Sequence, residues 1–221
     1  DVTDLFNVLT GLSRQQAFRK LLVAPDSLRP RLLELIEREI GHAQAGRPAH
    51  LVFKVNAVVD VPTIETIYRA SQAGVQIDLN VRGICSIQPG LPGISENIRV
   101  RSIVGEFLEH SRILGFLNGG EREWYIGSAD LMDRNLERRV EAVTPVEDLA
   151  AQARLDTQIT QLLRLNQLST ELLSRQDPWP VAPTFAGMAI LLRVSARELR
   201  DVRRARGRHV RRRGAGRPTC R

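Results

Sequence analysis

The pattern that most constrains the fold lies between residues 50 and 81. His50 to Asn56 (HLVFKVN) is a short, β-rich run bounded by Pro48. Asp60 with Pro62 opens a helix that runs through Ala73, with Ile64, Ile67 and Tyr68 on its buried stripe and Gly74 as its stop. Val75 to Val81 (VQIDLNV) is a second strand. Strand, helix and strand within about thirty residues predict a βαβ unit, hence a parallel pair joined by a right-handed crossover. Ligands of such sheets gather at the carboxyl ends of the strands. Lys54 and Asn56 end the first strand and Arg82 ends the second, followed by Gly83, where the backbone turns freely.

Around this unit, Asp26 or Ser27 caps a predicted helix running to about Gln44, with Leu28, Leu32, Leu33, Ile36 and Ile40 on one face. His42 near its end reads as a surface residue facing the negative end of the helix dipole. Gln88 to Ser95 is a loop, and Arg99 and Arg101 alternate about Val100 so that both face one side of a strand. Ile113–Leu117 and Trp124–Ile126, joined by Asn118-Gly119-Gly120, predict a hairpin. Its register is open. A three-residue loop sets His110 opposite Ser128, whereas a two-residue loop on Gly119-Gly120 sets it opposite Ala129. In the first register His110, Arg112, Ser128 and Asp130 converge, a seat for a phosphoryl group. Arg138 to Thr144 reads as a last strand, with Glu141 a candidate partner for a site arginine. Residues 145–165 read as a helix with Leu149, Leu155, Ile159 and Leu162 on its apolar face.

The net charge of +7 suggests a nucleic-acid partner until its distribution is read. From Arg193 onward twelve arginines face two acids, a net +10, so residues 1–192 carry about −3. No apolar run approaches the roughly 18 residues of a membrane span, and the N-terminal DVTDLFNVLTG has no signal-peptide character. Cys85 and Cys220 make no disulfide framework, which fits a reducing cytosol.

Three readings of His110 stay open on the residues alone. It is a structural or solvated histidine, a metal ligand, or part of a phospholipase-D-like motif. A metal site needs further ligands at suitable spacing, and the sequence gathers none. The phospholipase-D-like motif is H-x-K followed by a Gly-Ser-x-Asn corner. Here Arg112 replaces the Lys, Asp130 the Asn, and Leu117 the motif's Asp.

The segments RGICSIQPGLPGISENIRVRSIVGEFLEHSRI, the NGG turn, SADLMDRNLERRVE and TPVED resemble the C-terminal catalytic region of the polyphosphate kinases. The resemblance covers roughly residues 1–165 and fails beyond about residue 178. It implies an α/β, phospholipase-D-like domain at 26–176, with a mixed sheet flanked by helices. Residues 1–25 become the end of a preceding catalytic domain, and 177–221 a divergent or frameshifted Arg-rich tail expected to be disordered. It implies reversible transfer of the terminal phosphate of ATP to polyphosphate through a phosphohistidine upstream of residue 1, so that this chain is inactive alone. His110 becomes the second histidine, binding phosphate and acting as acid or base. Arg82 becomes a nucleotide-phosphate ligand and Ser128 a phosphate contact, with Arg99, Arg101, Arg112, Asn135 and Arg139 as further candidates. Mg2+ is expected with the ATP. Implied partners are ATP or ADP, inorganic polyphosphate, upstream polyphosphate kinase domains in cis or trans, and other copies of the complete protein, in the cytoplasm. A non-catalytic module that binds polyphosphate or nucleic acid is the alternative. A phosphodiesterase of the phospholipase D type is a third reading, but it requires two complete H-x-K motifs.

Overall fold

The computed structural model describes residues 1–13, 17–102 and 110–175, with side chains as far as Arg164. The expected tail at 177–221 lies outside the described residues. In chain order the elements are α1 (Val2–Leu9), β1 (Leu22–Ala24), α2 (Leu28–Gln44), β2 (His50–Val55), α3 (Val61–Gln72), β3 (Gln76–Val81) and β4 (Ile98–Arg101). They continue with β5 (Arg112–Phe116), a 3-10 turn at Asn118–Gly120, β6 (Glu123–Gly127), α4 (Asp133–Glu137), β7 (Glu141–Pro145) and α5 (Leu149–Arg175). The strands form one mixed sheet in the order β1-β7-β6-β5-β2-β3-β4. Its β2, β3 and β4 are parallel and the remaining neighbours antiparallel.

The βαβ unit forms where the sequence places it, with Leu51 opposite Ile77 and Phe53 opposite Leu79. Asp60 caps α3, its carboxylate accepting the Thr63 N–H at 3.1 Å and the Thr63 hydroxyl at 2.6 Å. One face of the sheet, with Leu51, Phe53, Ile77, Leu79, Leu114 and Phe116, packs against α2 and α3. Phe53, Phe116 and Tyr125 stack edge to face there, and each such burial stabilises by about 1.5–3 kcal/mol. On α2, Leu28, Leu32, Ile36 and Ile40 are buried as expected, but Leu35 joins them in place of Leu33, which is only half-buried. The opposite sheet face carries Val52, Ile113 and Trp124 against Ile159, Leu155 and Leu163 of α5. Leu149, expected on that face, is 79% exposed, because α5 begins there and meets the sheet only later.

The hairpin adopts the register of the two-residue alternative. Arg112 pairs with Gly127 and Gly115 with Trp124, and the ladder begins at Arg112, two residues after His110. The register follows from packing as much as from the turn. A Cβ on Gly115 would lie 2.8 Å from Cε3 and 2.9 Å from Cη2 of the buried Trp124, so only glycine fits opposite that ring. Asn118 and Gly119 both take positive φ, 49° and 69°, and Gly120 N–H closes the turn on Leu117 O at 3.0 Å.

Two further expectations change. His42 is buried, not on the surface, and its Nε2–H donates to Asn118 Oδ1 at 3.1 Å. Fully buried Glu39, one turn earlier, accepts the Asn118 N–H at 2.7 Å and the His50 N–H at 3.1 Å. The end of α2 therefore faces the hairpin turn and satisfies its backbone. Residues 22–24, expected to close a preceding domain, form edge strand β1 and pair with β7, Leu22 opposite Val143. This sheet begins at Leu22.

Candidate functional site

The carboxyl ends of β2 and β3 and the amino end of β5 meet at one end of the sheet, because β2 pairs with both neighbours. Asn56, just past β2, joins them. Its carbonyl accepts the Gly83 N–H at 2.7 Å, and its own N–H donates to Asp130 Oδ1 at 2.7 Å. Gly83 serves this close approach: a Cβ there would lie 2.9 Å from Asn56 O. Its φ is not positive, so the expected conformational role gives way to a steric one. The approach fixes Arg82, which is half-buried with its Nη1 buried and without a hydrogen-bond partner. A buried donor left unpaired costs about 1–3 kcal/mol, and a guanidinium there suits an anionic oxygen.

Across β2, Arg112 connects His110 to Asp130. Its Nε and Nη2 donate to the Asp130 carboxylate at 3.3 and 2.9 Å. Its Nη1 donates to the His110 carbonyl at 2.9 Å and lies 2.7 Å from His110 Nδ1. His110 itself is exposed. Asp130 also accepts from Asn56 Nδ2 at 3.3 Å. Burial pushes the Asp130 carboxyl up, but the hydrogen bonds of Arg112 and Asn56 with the charge of Arg112 hold it below its ordinary value. Lys54, one residue before the end of β2, is buried and donates from Nζ to Ser111 Oγ at 2.5 Å.

Ser128, at the Gly-Ser corner, donates its hydroxyl to Glu141 Oε2, and Asn135 Nδ2 donates to Glu141 Oε1 at 2.6 Å. Glu141, expected beside an arginine, instead ties Ser128 to α4, because β7 starts there and lies next to β6. Asn135 is buried in that tie, its Oδ1 without a partner, and Arg139 is exposed on the loop before β7.

The family model for polyphosphate kinase C-terminal domain 2 matches residues 21–182. The chain belongs to the polyphosphate kinase family. It is 50% identical over 207 residues to the polyphosphate kinase of Thermosynechococcus vestitus, covering 91% of this chain and 28% of that protein. It is 58% identical over 156 residues to that of Streptomyces coelicolor, covering 71% and 21%. The crystal structure of polyphosphate kinase from Porphyromonas gingivalis superposes with a TM-score of 0.72 at 43% identity, over 74% of this chain and 25% of that one. The chain thus spans about a quarter of the length of these polyphosphate kinases. The 91% match reaches past residue 178 wherever it starts, so likeness to the family extends further than the motifs alone carry it.

Two further candidate arginines of this polyphosphate kinase domain lie on β4, and both turn to Asp78 of β3. Arg99 Nε and Nη2 donate to it at 2.9 and 3.0 Å, and Arg101 Nη1 at 3.3 Å. His50 Nε2 lies 2.9 Å from the same carboxylate. Asp78 was not singled out by sequence, although the alternation in VQIDLNV beside IRVR places it on the arginines' side of a parallel pair. Burial alone would raise the Asp78 carboxyl. Hydrogen bonds from His50 and Arg99 and their charges more than offset this and hold it at about 2. Because the folded value lies below the unfolded one, this stabilisation is fully present above about pH 4 and is lost as pH falls towards 2. It amounts to about 2 kcal/mol, with about half gone by pH 3. Urea denaturation at pH 6 and pH 3 should therefore show a smaller loss in Asp78→Asn than in the wild type. Parallel losses in the two proteins would rule out the ion-pair account.

Proposed function

We propose that this chain supplies half of a site that moves the terminal phosphate of ATP reversibly to inorganic polyphosphate. The observation that carries the proposal is the inward Arg82 Nη1–H without an acceptor, at the strand ends where α/β sheets take ligands. Exposed His110 lies on the other side of β2. Two strand spacings separate β3 from β5, roughly 10 Å, a span that a triphosphate bridges.

In the proposed reaction a histidine nitrogen from the preceding polyphosphate kinase domains attacks the γ-phosphorus of ATP. The bond to the β,γ-bridging oxygen breaks, ADP leaves with that oxygen, and a phosphohistidine forms. A terminal oxygen of polyphosphate then attacks the same phosphorus, the nitrogen leaves, and the polymer gains one phosphate. Arg82 and His110 offset the charge on the equatorial oxygens. Ser128, held by Glu141, fixes the corner beside them, and the β4 arginines, already paired to Asp78, stand back from the chemistry. Magnesium is proposed to arrive on the nucleotide's phosphates, where it neutralises charge. Asp130 and Glu141 are taken by side-chain partners, and among the described residues no three His, Cys, Asp or Glu gather to hold a metal. No described helix is long and apolar enough to cross a membrane, and the reaction is assigned to the cytoplasm, with further copies of the complete protein as partners.

The test is transfer of the labelled terminal phosphate of ATP to polyphosphate, by the chain alone and with the preceding domains supplied in trans. Transfer is expected only in the second case. Turnover by the chain alone would overturn the two-part site. Retention of polyphosphate without transfer in either case would point to a binding module.

A further inference from the structure

We propose that Lys54 is a positioning residue for phosphate transfer, which sets the placement of His110 through Ser111. This role rests on the phosphotransfer reading above, and it employs a residue of the HLVFKVN run that the proposed reaction leaves unused. His110 stands outside the sheet. The ladders that hold β5 begin at Arg112 and Ile113, so among the described residues His110 and Ser111 overhang its paired part.

Side chains hold this overhang from both faces of the sheet. On β2, Lys54 pairs with Ile113 and so projects on the face that carries Val52, Ile113 and Trp124. Its Nζ donates to Ser111 Oγ at 2.5 Å and lies 3.4 Å from Ser111 O. Alternation sends Arg112 to the other face. There its Nη1 donates to the His110 carbonyl at 2.9 Å and its Nη2 to Asp130 at 2.9 Å, and Asp130 accepts the Asn56 N–H at 2.7 Å. Lys54 and Asn56 thus act from the same end of β2 on the two sides of the overhang.

Packing alone does not account for a lysine at this position. The residue is 5% exposed beside apolar Val52 and Ile113, where an ammonium carries a desolvation cost that a methionine would avoid. What the charge adds is a hydrogen bond to Ser111 roughly twice as strong as a neutral one. Because the ammonium is buried and turned to Ser111, its effect on a phosphoryl group passes through the neighbouring His110. Placement of that kind matters to the rate: a reacting group displaced by about 1 Å costs about 10²-fold.

Backbone amide order parameters from 15N relaxation of the full chain test the tie without any turnover. In the wild type, His110 and Ser111 should be as rigid as β5, near about 0.85, and in Lys54→Met they should fall below about 0.6 while Ile113–Phe116 keep their values. Ser111→Ala removes the Oγ and leaves β2 intact. It should loosen the same two amides, and it serves if Lys54→Met lacks the amide dispersion of a folded chain. Two loose amides in the folded wild type, or rigid ones in both variants, would overturn the proposal. With the preceding domains supplied, Lys54→Met should lower kcat by about 10²-fold and leave KM for ATP within about threefold. Ser111→Ala should lower kcat by about tenfold, and the double variant should fall no further than Lys54→Met, because the two side chains act as one unit. A KM for ATP raised by about tenfold or more would make Lys54 a phosphate ligand, and losses that multiply in the double variant would separate it from Ser111; either result overturns the positioning role. Absence of transfer in the wild type would count against the phosphotransfer reading alone, because the relaxation measurement stands without it.

Discussion

Asp130→Ala is expected to destabilise the chain by about 3–5 kcal/mol, the range for breaking a buried pair by removing one partner. The carboxylate accepts from two Arg112 nitrogens, the Asn56 N–H and the Asn56 amide. Alanine there leaves a guanidinium that is 12% exposed without its counter-charge and the Asn56 backbone N–H without its acceptor. The loss spreads along the chain, because the next residue, Leu131, accepts the N–H groups of Val59 and Asp60 and donates to Ala57 O. That zipper docks the segment after β6 onto the segment after β2. Asp130→Asn keeps the shape and one acceptor but turns an amide hydrogen towards a cation, so its cost should fall between those of wild type and alanine. Urea denaturation at neutral pH, with the slope checked for constancy, measures the order. An Asp130→Ala protein within about 1 kcal/mol of wild type would mean that the Arg112 pair carries little of the stability.

The central βαβ unit was legible because its signals agree: apolar strands, a capped helix with proline at its start, and a glycine stop all fall within one short window. Strand β1 was not, since Leu22–Ala24 is only three residues long and owes its existence to β7, more than a hundred residues away. The hairpin register was also beyond the turn residues, because the contact of Gly115 with Trp124 decides it. Helical periodicity misplaced His42 and passed over Glu39, which serve a turn distant in sequence. At the site, the residue types were readable but their partners were not. Arg112 and Asp130 were both visible as departures from a motif, and only the fold shows that they pair with each other. Glu141 reads as an arginine partner by charge alone, yet adjacency of β6 and β7 gives it Ser128 and Asn135.

Arg82→Ala should separate function from stability more sharply than any other change. With the preceding polyphosphate kinase domains supplied, phosphate transfer is expected to fall by roughly 10³-fold or more, the scale on which a phosphoryl-stabilising arginine acts. The folded chain should not suffer for it. Arg82 Nη1 is buried without a partner, so its removal relieves an unsatisfied donor and should leave stability unchanged or raise it by about 1 kcal/mol. The backbone there is set independently, because the Gly83-to-Asn56 contact does not involve the Arg82 side chain. Arg82→Lys keeps the charge but loses the planar fork that matches two phosphate oxygens, so its transfer rate should lie between wild type and alanine. Stability and transfer rate, measured on the same preparations, give a joint signature. A large fall in stability would make Arg82 a structural residue, and a variant keeping more than about a tenth of the activity would remove it from the phosphate site. Loss of transfer at undiminished stability is the mark of a side chain held unsatisfied for a ligand.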